Sequence, residues 1–397
     1  MKASNFEVLV VGAGPAGSLA AANLAAAGHD VALVDENEGP RSRIICSGII
    51  GLEAFAHFDL PRESIVDSIL RVSFFSPSGL EVPYCPEQPL AHVVDRTQFD
   101  DQLVSRAVAA GTCLLRGHKA RKTLVTDRGV ELTADVNGGQ QLLRGKAIVV
   151  ATGYRQWLHK QLSLGSPPGF VQGTRAELPI KLPEGAELYF GRGFAPGFFA
   201  WAVPRGHGTA GIGLLGSQGG KTLIKELLKT DAIRSRLNGD GFASSGEHGY
   251  TIMSRGIVQG PVDPSVADRV IAVGEAAGQV KTTTAGGIYY GLIGAELAAE
   301  VLSDALRSGK LSADSLSSYQ HAWRSRLDDE IQGGLQLQQL AKSLSDRDID
   351  ELFRVLQKDL APRLRQLVSF DWHRRTVRAL LHARRIHSVV EGAFLSR

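Results

Sequence analysis

The sequence predicts an α/β fold with a parallel βαβ unit at its start, an antiparallel sheet inserted later and a helical C-terminal region. A β-branched apolar run at Val8–Val11 is followed by closely spaced glycines and a helix of small residues, the order of a βαβ unit. Alternating apolar and polar residues around 70–94 and within 165–215 favour antiparallel strands. After Ala313 the chain has helical spacing and few glycines, which favours helices.

Length and composition are those of an ordinary globular protein. The 397 residues are 43% hydrophobic and 21% charged, enough for one large domain or two. A net charge of +3 gives no reason to expect nucleic acid as a partner. Three cysteines without a C-x-x-C pair argue against a disulfide scaffold, a zinc ribbon or a redox-active disulfide, so no metal is expected. No apolar run reaches the ~20 residues of a membrane span, and we expect a cytoplasmic protein.

The first candidate site is the turn between the strand Val8–Val11 and a helix predicted over 16–27. Gly12 permits a tight turn, Gly14 lets the backbone approach a pyrophosphate, and Gly17 allows close packing of helix and strand. The helix N-terminus offers N–H groups and a positive dipole end to phosphates. A secretory signal is the alternative for this stretch, but Gly-Pro-Ala-Gly interrupts the apolar run. The candidate dinucleotide-binding residues here are Gly12, Ala13, Gly14, Pro15, Ala16 and Gly17.

An acidic residue ends the next predicted strand, Val31–Val34. Asp35 follows Gly17 by 18 residues, which is where a carboxylate would accept hydrogen bonds from a ribose diol. Glu36 is a second candidate at this position. In the loop that follows, Arg43 could contact phosphate oxygens or lie in solvent, and the segment around Cys46 and Ser47 is small enough to lie against a planar ring.

The middle of the chain contributes further candidates. Asp95 can cap a helix running to about Ala110, which places Arg96 in its first turn, either near the nucleotide or at the surface. The run 146–153 is a predicted buried strand that ends in small residues, as the approach to a pyrophosphate requires. We include Gly153 at its end and Ala120, in the region of a predicted strand, among the candidate cofactor contacts.

An aromatic segment lies within 165–215. On a strand, Phe199, Trp201 and Val203 would share one face while small residues occupy the other. Such a strand could form one wall of an apolar ligand cavity, or it could simply be sheet core. We read the stretch 206–216 as the returning strand.

A second anchor lies within 268–291. A buried strand at 270–273 leads into a turn at Gly274 and Glu275, whose carboxylate could accept from polyol hydroxyls. Gly286 and Gly287 then open a helix predicted from Ile288 to about 302. Its free N–H groups would favour an anion, which suits the N1/O2 edge of a reduced isoalloxazine.

The C-terminal region is basic as well as helical. From 363 to 385 arginines dominate, and Asp371 is the only acidic residue. Interleaved apolar residues such as Trp372 allow two interpretations: a helix lying on an anionic membrane surface, or a solvated basic face.

Together these motifs resemble the geranylgeranyl reductase family of FAD-dependent oxidoreductases, flavoproteins with a hydroxylase-like fold. The glycine turn, Arg96-x-x-Phe-Asp and the block beginning at Gly274 are similar to the general FAD blocks. Cys46-Ser47-Gly48 is similar to a Cys-Gly-Gly loop, and the segment 196–204 to a Pro-Gly-x-Tyr-x-Trp-x-Phe-Pro cavity motif. Three residues depart from the family pattern: Ser47 replaces Gly, Phe199 replaces Tyr and Glu275 replaces Asp.

The resemblance implies a Rossmann-type FAD-binding domain with an interleaved antiparallel-sheet substrate domain and a helical C-terminal region. We expect the FAD-binding domain at 1–70, 95–160 and 260–305, the substrate domain at 71–94 and 161–259, and the helical region at 306–397. The expected reaction saturates carbon–carbon double bonds of a long isoprenoid by hydride transfer from reduced flavin. NAD(P)H or a reduced ferredoxin would be the transient electron donor. Candidate catalytic residues are Cys46, Phe199 and Trp201.

Two alternatives stay open at this stage. The first is an FAD-dependent monooxygenase or hydroxylase acting on an apolar or aromatic substrate. The segment Phe199-x-Trp201-x-Val-Pro is also similar to a halogenase box, but the absence of lysine between Lys2 and Lys119 counts against halogenation. The second is a flavoprotein without enzymatic turnover that serves as an assembly partner or redox sensor.

Overall fold

The computed structural model describes residues 4–40, 44–180, 182, 185–206, 208–216, 219–230, 233, 250–360 and 369–381. The chain divides into two compact units. The first comprises 1–44, 96–169 and 258–332, and the second comprises 45–95, 170–257 and 333–397. Arg43 and parts of the basic region, 361–368 and 382–397, lie outside the described residues, so the expectations for them stay predictions.

The first unit is built on a mainly parallel six-stranded sheet. Its central strand, Val8–Val11, pairs with Ala147–Val150 on one side and Val31–Val34 on the other, all in parallel. These strands are apolar along their whole length because parallel strands are covered on both faces. The strand order is Val266–Ala267, Val270–Ala272, Ala147–Val150, Val8–Val11, Val31–Val34 and Cys113–Leu115.

A smaller sheet and several helices complete the first unit. The sheet consists, in order, of Ser4–Asn5, Gly139–Gly145, Gly129–Val136 and Lys119–Thr126. The helices are Pro15–Ala26, Arg96–Ala109, Trp157–Gln161 and Ile288–Ser308, with a 3₁₀ turn at Gly274–Ala277. The long helix Ala313–Ser343 begins in this unit and ends in the second.

The second unit contains a seven-stranded, largely antiparallel sheet. The strand order is Met253–Gln259, Gly169–Leu178, Ala210–Gly216, Ala200–Pro204, Ala186–Tyr189, Val72–Phe75 and Glu81–Tyr84. A three-stranded sheet has the order Ile49–Gly51, Ala91–Val94 and Ile65–Ile69. The other helical segments are Leu52–Phe58, Arg62–Ser64, Gly220–Lys229, Asp346–Val355, Leu356–Leu360 and Arg374–Leu381.

The predicted α/β fold class is confirmed, and the differences lie at element ends. The first helix begins at Pro15, because a proline at the first helical position loses no hydrogen bond. The helix opened by Gly287 runs to Ser308, further than expected, and stops at Gly309 in the left-handed region. The units divide the chain differently from the predicted domains. The second unit contains 45–70, 95 and 333–397, and the first contains 161–169, 258–259 and 306–332. Within the described residues, no helix combines the length and the apolarity that a bilayer crossing needs.

Candidate functional site

The glycine turn of the first unit leaves no room for side chains. Gly12 has φ +108°, and a Cβ there would lie 2.3 Å from the carbonyl oxygen of Ala151. A Cβ on Gly17 would lie 1.9 Å from the carbonyl oxygen of Gly12. Gly14 caps the helix Pro15–Ala26 without a side-chain hydrogen bond. Gly12 and Gly17 therefore allow the close packing of turn, strand and helix that a dinucleotide-binding turn requires.

The predicted ribose acid is held by its own loop. Asp35 is only 6% exposed, and its Oδ2 accepts the backbone N–H of Ala13 at 2.7 Å. Its Oδ1 accepts the backbone N–H of Asn37 at 2.9 Å and that residue's side-chain amide at 2.6 Å. The second candidate, Glu36, forms ion pairs with Arg155 and, at 3.8 Å, with Lys119. Asp35 is thus fixed against the glycine turn, whereas Glu36 lies nearer the surface.

Arg96 is largely buried. Its Nε and Nη2 donate to the two carboxylate oxygens of Asp100, each at 3.0 Å, so the pair is bidentate and fixed. Asp101 next to it accepts from Arg116 at 2.7 Å. A small depression lies between the helix Arg96–Ala109 and the glycine turn. It is lined by Ala13, Asp35, Gly39, Pro40, Asp100, Asp101, Val104 and Arg116.

The two glycine turns lie side by side although they are more than 250 residues apart in the chain. Gly274 has φ +65°, and a Cβ there would lie 2.9 Å from Cβ of Ala16 and 3.9 Å from Cα of Gly291. At the other end of the same helices, the Arg307 side chain donates to the carbonyl of Ala27 at 3.3 Å. The helices Pro15–Ala26 and Ile288–Ser308 therefore run parallel, with both N-termini at one end. Each begins at a glycine without a side-chain cap, Gly14 and Gly287.

The second turn brings further candidate residues together. Glu275 accepts the backbone N–H of Val258 at 3.2 Å, and its Oε2 lies 3.8 Å from where a Cβ on Gly153 would be. Gly153 has φ +64° and Gly274, which precedes Glu275, has φ +65°, so a glycine in the left-handed region lies on each side of this contact. Gly286 packs on the buried Lys281, whose Cε would lie 3.0 Å from a Cβ there. Ala120 is a buried member of the hydrophobic core of this unit.

Residues that no motif indicated support the second turn. The side chain of Gln279 accepts the N–H of Gly274 at 2.7 Å and donates to the Tyr319 hydroxyl at 2.8 Å. That hydroxyl donates to the carbonyl of Ala272 at 2.6 Å, and complete burial raises the pKa of Tyr319. His159 donates from Nε2 to the carbonyl of Ala276 at 2.7 Å. In the sequence these residues are recognisable only as polar side chains among apolar neighbours. That pattern does not show which groups they contact.

His159 makes the first unit sensitive to acid. Burial lowers the pKa of His159, and its contacts with the backbone of Ala276 and Gln156 act in the opposite direction. Because the unfolded chain binds the proton more readily, this group's contribution is fully present above its ordinary pKa of 6.5 and is lost as pH falls below it. Between pH 7 and pH 5 the melting temperature of the wild type should fall about 2–4 °C more than that of His159→Gln. Equal shifts in calorimetry would contradict this assignment.

The second unit contains the remaining candidates. Cys46 Sγ accepts the backbone N–H of Gly48 at 3.4 Å, and the side chain of Cys46 is partly exposed. The predicted strand included Phe199, but the observed strand is Ala200–Pro204, so Phe199 directly precedes it. Ala200 and Ala202 are fully buried, as the small face of the strand should be.

An aromatic cluster lies at this strand. The Phe199 ring is 6.2 Å from the ring of Trp201 and 6.2 Å from that of Phe190, which contacts Phe353 at 5.8 Å. The indole Nε1 of Trp201 is buried and has no hydrogen-bond partner within the described residues. A Cβ on Gly213 would lie 2.3 Å from Cζ2 of Trp201, so the glycine makes room for the indole. The arrangement is an apolar surface of rigid rings.

The fold, the family match and the reductase relatives together define the chain as an FAD-dependent oxidoreductase. The fit to FAD rests on the two side-chain-free turns at one end of parallel helices, with Asp35 and Glu275 as carboxylates at the turns. Residues 6–166 match the Pyridine nucleotide-disulphide oxidoreductase family. A halogenase solved in complex with FAD has a TM-score of 0.67 at 16% identity, covering 98% of this chain and 85% of its own.

The comparisons also confirm the resemblance to the geranylgeranyl reductase family. A digeranylgeranylglycerophospholipid reductase of Methanocaldococcus jannaschii is 28% identical over 372 residues, which is 89% of this chain and 91% of the relative. Another, from Methanopyrus kandleri, is 28% identical with the same coverage. The crystal structure of a geranylgeranyl bacteriochlorophyll reductase-like protein from Thermoplasma acidophilum has a TM-score of 0.85. It is 19% identical and covers 99% of this chain and 100% of its own.

Proposed function

We propose that the protein reduces carbon–carbon double bonds of a long isoprenoid lipid, using FAD as its bound cofactor. The observation that carries the proposal is the pair of glycine-capped helix N-termini, at Gly14 and Gly287, that face one end of the first unit. The sequence relatives support the substrate class, because the names of those proteins specify geranylgeranyl lipids.

The residues of the first unit would hold and polarise the cofactor. The N–H groups at the N-terminus of the helix Pro15–Ala26 would face the pyrophosphate. Asp35 would accept hydrogen bonds from the ribose of the adenosine. Glu275 would accept from the ribitol, with the Tyr319–Gln279 contacts keeping its turn in place. FAD, when bound and reduced, supplies a hydride. The N–H groups that follow Gly287 favour negative charge at the helix end.

The residues of the second unit would hold the lipid. An isolated alkene accepts hydride poorly, so the second carbon must receive a proton in the same step or an earlier one. The rings of Phe199 and Trp201 would contact the isoprenoid and exclude water, since rigid aromatic rings supply apolar area at low entropic cost. Cys46 would help to deliver the proton or control access to the site.

The electron donor and the membrane contact are part of the same proposal. NAD(P)H or a reduced ferredoxin would bind transiently, since the sequence has no second complete dinucleotide fingerprint. The basic helices near the C-terminus would hold the protein at the membrane surface that carries the lipid. Of this region the structure describes the helix Arg374–Leu381, preceded by Trp372, whose indole donates to Glu53 at 2.8 Å.

The test is an anaerobic single-turnover experiment on the FAD-loaded protein. The flavin is reduced with dithionite and mixed with a geranylgeranyl lipid, and absorbance is followed while the lipid is analysed by mass spectrometry. We expect flavin reoxidation together with a mass gain of two for each bond reduced. If the flavin is not reoxidised and the lipid gains no mass, the activity is rejected. Oxygen uptake coupled tightly to a hydroxylated product, in an aerobic parallel, would favour the monooxygenase alternative instead.

A further inference from the structure

Two arginines of the second unit lie together against one strand. Arg175 belongs to the strand Gly169–Leu178, and Arg205 directly follows the strand Ala200–Pro204. The strand Ala210–Gly216 lies between them. A Cβ on Gly211 would lie 3.5 Å from Nε of Arg175 and 3.5 Å from Cδ of Arg205, so both side chains pass over this glycine. Arg175 is only 4% exposed.

Both guanidinium groups are directed at the backbone of the loop that contains Cys46. Arg175 Nη1 donates to the carbonyl of Cys46 at 2.7 Å. Arg205 Nη1 donates to the carbonyls of Ser47 and Val94, each at 3.2 Å. Gly48 permits this approach: it has φ +78°, and a Cβ there would lie 2.6 Å from Arg205 Nη1. Two side chains from distant parts of the sequence thus hold two consecutive residues of one loop, Cys46 and Ser47.

The charged groups near this loop include Arg175 and Arg205 and the carboxylates of Glu177 and Asp95. Burial, and then the neighbouring Arg175, lower the pKa of Arg205, while Glu177, Cys46 and Asp95 act in the opposite direction. Glu177 pairs with Arg175 at 2.5 Å, but its side chain is 47% exposed. Cys46 is the group that can add a negative charge within the loop, and its Sγ already accepts the N–H of Gly48. A thiolate is favoured in such a setting because nearby cations and N–H donors stabilise it.

We propose that Arg175 and Arg205 are positioning residues that hold the Cys46 loop in one conformation and stabilise the thiolate formed when Cys46 gives up its proton. The proposal deepens the proposed function, because saturating an alkene requires an acid as well as a hydride. In this step the S–H bond of Cys46 breaks and a C–H bond forms at the substrate carbon. The thiolate then takes a proton from water, so the thiol itself is neither oxidised nor reduced.

The experiment measures the ionisation of Cys46 by its alkylation. Cys85 and Cys113, both exposed, are replaced by Ser in the full-length FAD-loaded protein, which leaves Cys46 as the single thiol. The rate of reaction with iodoacetamide is followed by mass spectrometry from pH 5 to pH 10. We expect the midpoint of the profile to lie at least about one unit below the ~8.5 of a free cysteine.

The arginine variants test the cause. Arg205→Met should raise the midpoint and slow alkylation at pH 7 by about tenfold, since one unit of thiol pKa changes the thiolate fraction tenfold. Arg205→Lys, which keeps the charge, should restore most of the rate. Arg71→Met is the control, because this arginine is half-exposed and pairs with Glu81. Arg175→Lys and Arg175→Met provide a second pair if Arg205→Met does not fold.

The proposal is overturned by a parent midpoint at or above the free-thiol value, or by an Arg205→Met profile identical to the parent's. Neither measurement needs an alkene. A shifted thiol profile without lipid reduction would therefore reject the proposed function and leave the arginine assignment in place. Lipid reduction with an ordinary thiol profile would support the proposed function and reject the arginine assignment.

Discussion

Replacement of Gly17 by Ala is expected to weaken FAD binding by about 10- to 100-fold, which corresponds to ~1.4–2.8 kcal/mol. The new Cβ would lie 1.9 Å from the carbonyl oxygen of Gly12 and 2.9 Å from Cβ of Ala151. Because the first of these atoms is backbone, relief requires the turn itself to move, at a cost of the size found for overpacked cores. The displaced turn would carry the N–H groups of the helix away from the pyrophosphate. Titration of the apoprotein with FAD, followed by flavin fluorescence, measures the effect.

A matched control separates this effect from a general cost of adding a methyl group. Gly139 lies in the small sheet of the same unit, and a Cβ there would meet nothing closer than 3.7 Å. Gly139→Ala should bind FAD like the wild type, and circular dichroism should show that both variants are folded. If Gly17→Ala bound FAD as tightly as Gly139→Ala, the turn would not be the pyrophosphate site.

The local parts of the FAD unit could be predicted from the sequence because each depends on neighbouring residues. A parallel strand, a glycine turn and a small-residue helix follow from spacing and residue type alone. Position along the chain also placed Asp35 at the end of its strand. The sequence could not show that Asp35 would be held by the N–H of Ala13 and by Asn37, because the direction of a side chain depends on packing.

The sequence motifs assign both glycine turns to one FAD, but the individual contacts between these distant segments could not be predicted. Ala16 and Gly274 meet only because their helices run parallel, and no periodicity encodes a separation of this length. The same holds for Arg205, which belongs to none of the sequence motifs. Its hydrogen bond to the loop of Ser47 joins residues 158 apart. The residues that position a site are therefore harder to find than those that bind the ligand, since they carry no motif of their own.

Replacement of Trp201 by Leu is expected to leave FAD bound but to lower alkene reduction at least about tenfold, mainly through a higher KM. Leucine keeps the position apolar, so the loss is that of ring area and shape. If about 60 Å² of apolar contact with the lipid is lost, the cost is ~1.5 kcal/mol at 25 cal/mol per Å², or roughly tenfold. Anaerobic turnover with a geranylgeranyl lipid, measured beside the FAD content, distinguishes the lipid contact from cofactor loss.

Phe170→Leu is the control that gives this experiment its meaning. Phe170 lies on the strand Gly169–Leu178 of the same sheet and is 52% exposed, so its replacement removes an aromatic ring from the surface only. The buried indole Nε1 of Trp201 has no hydrogen-bond partner within the described residues, so its replacement by Leu breaks no hydrogen bond among them. Trp201→Leu should therefore lose more turnover than Phe170→Leu while FAD stays bound. Equal turnover in the two variants would make Trp201 a plain core residue, as the aromatic pattern alone also allowed.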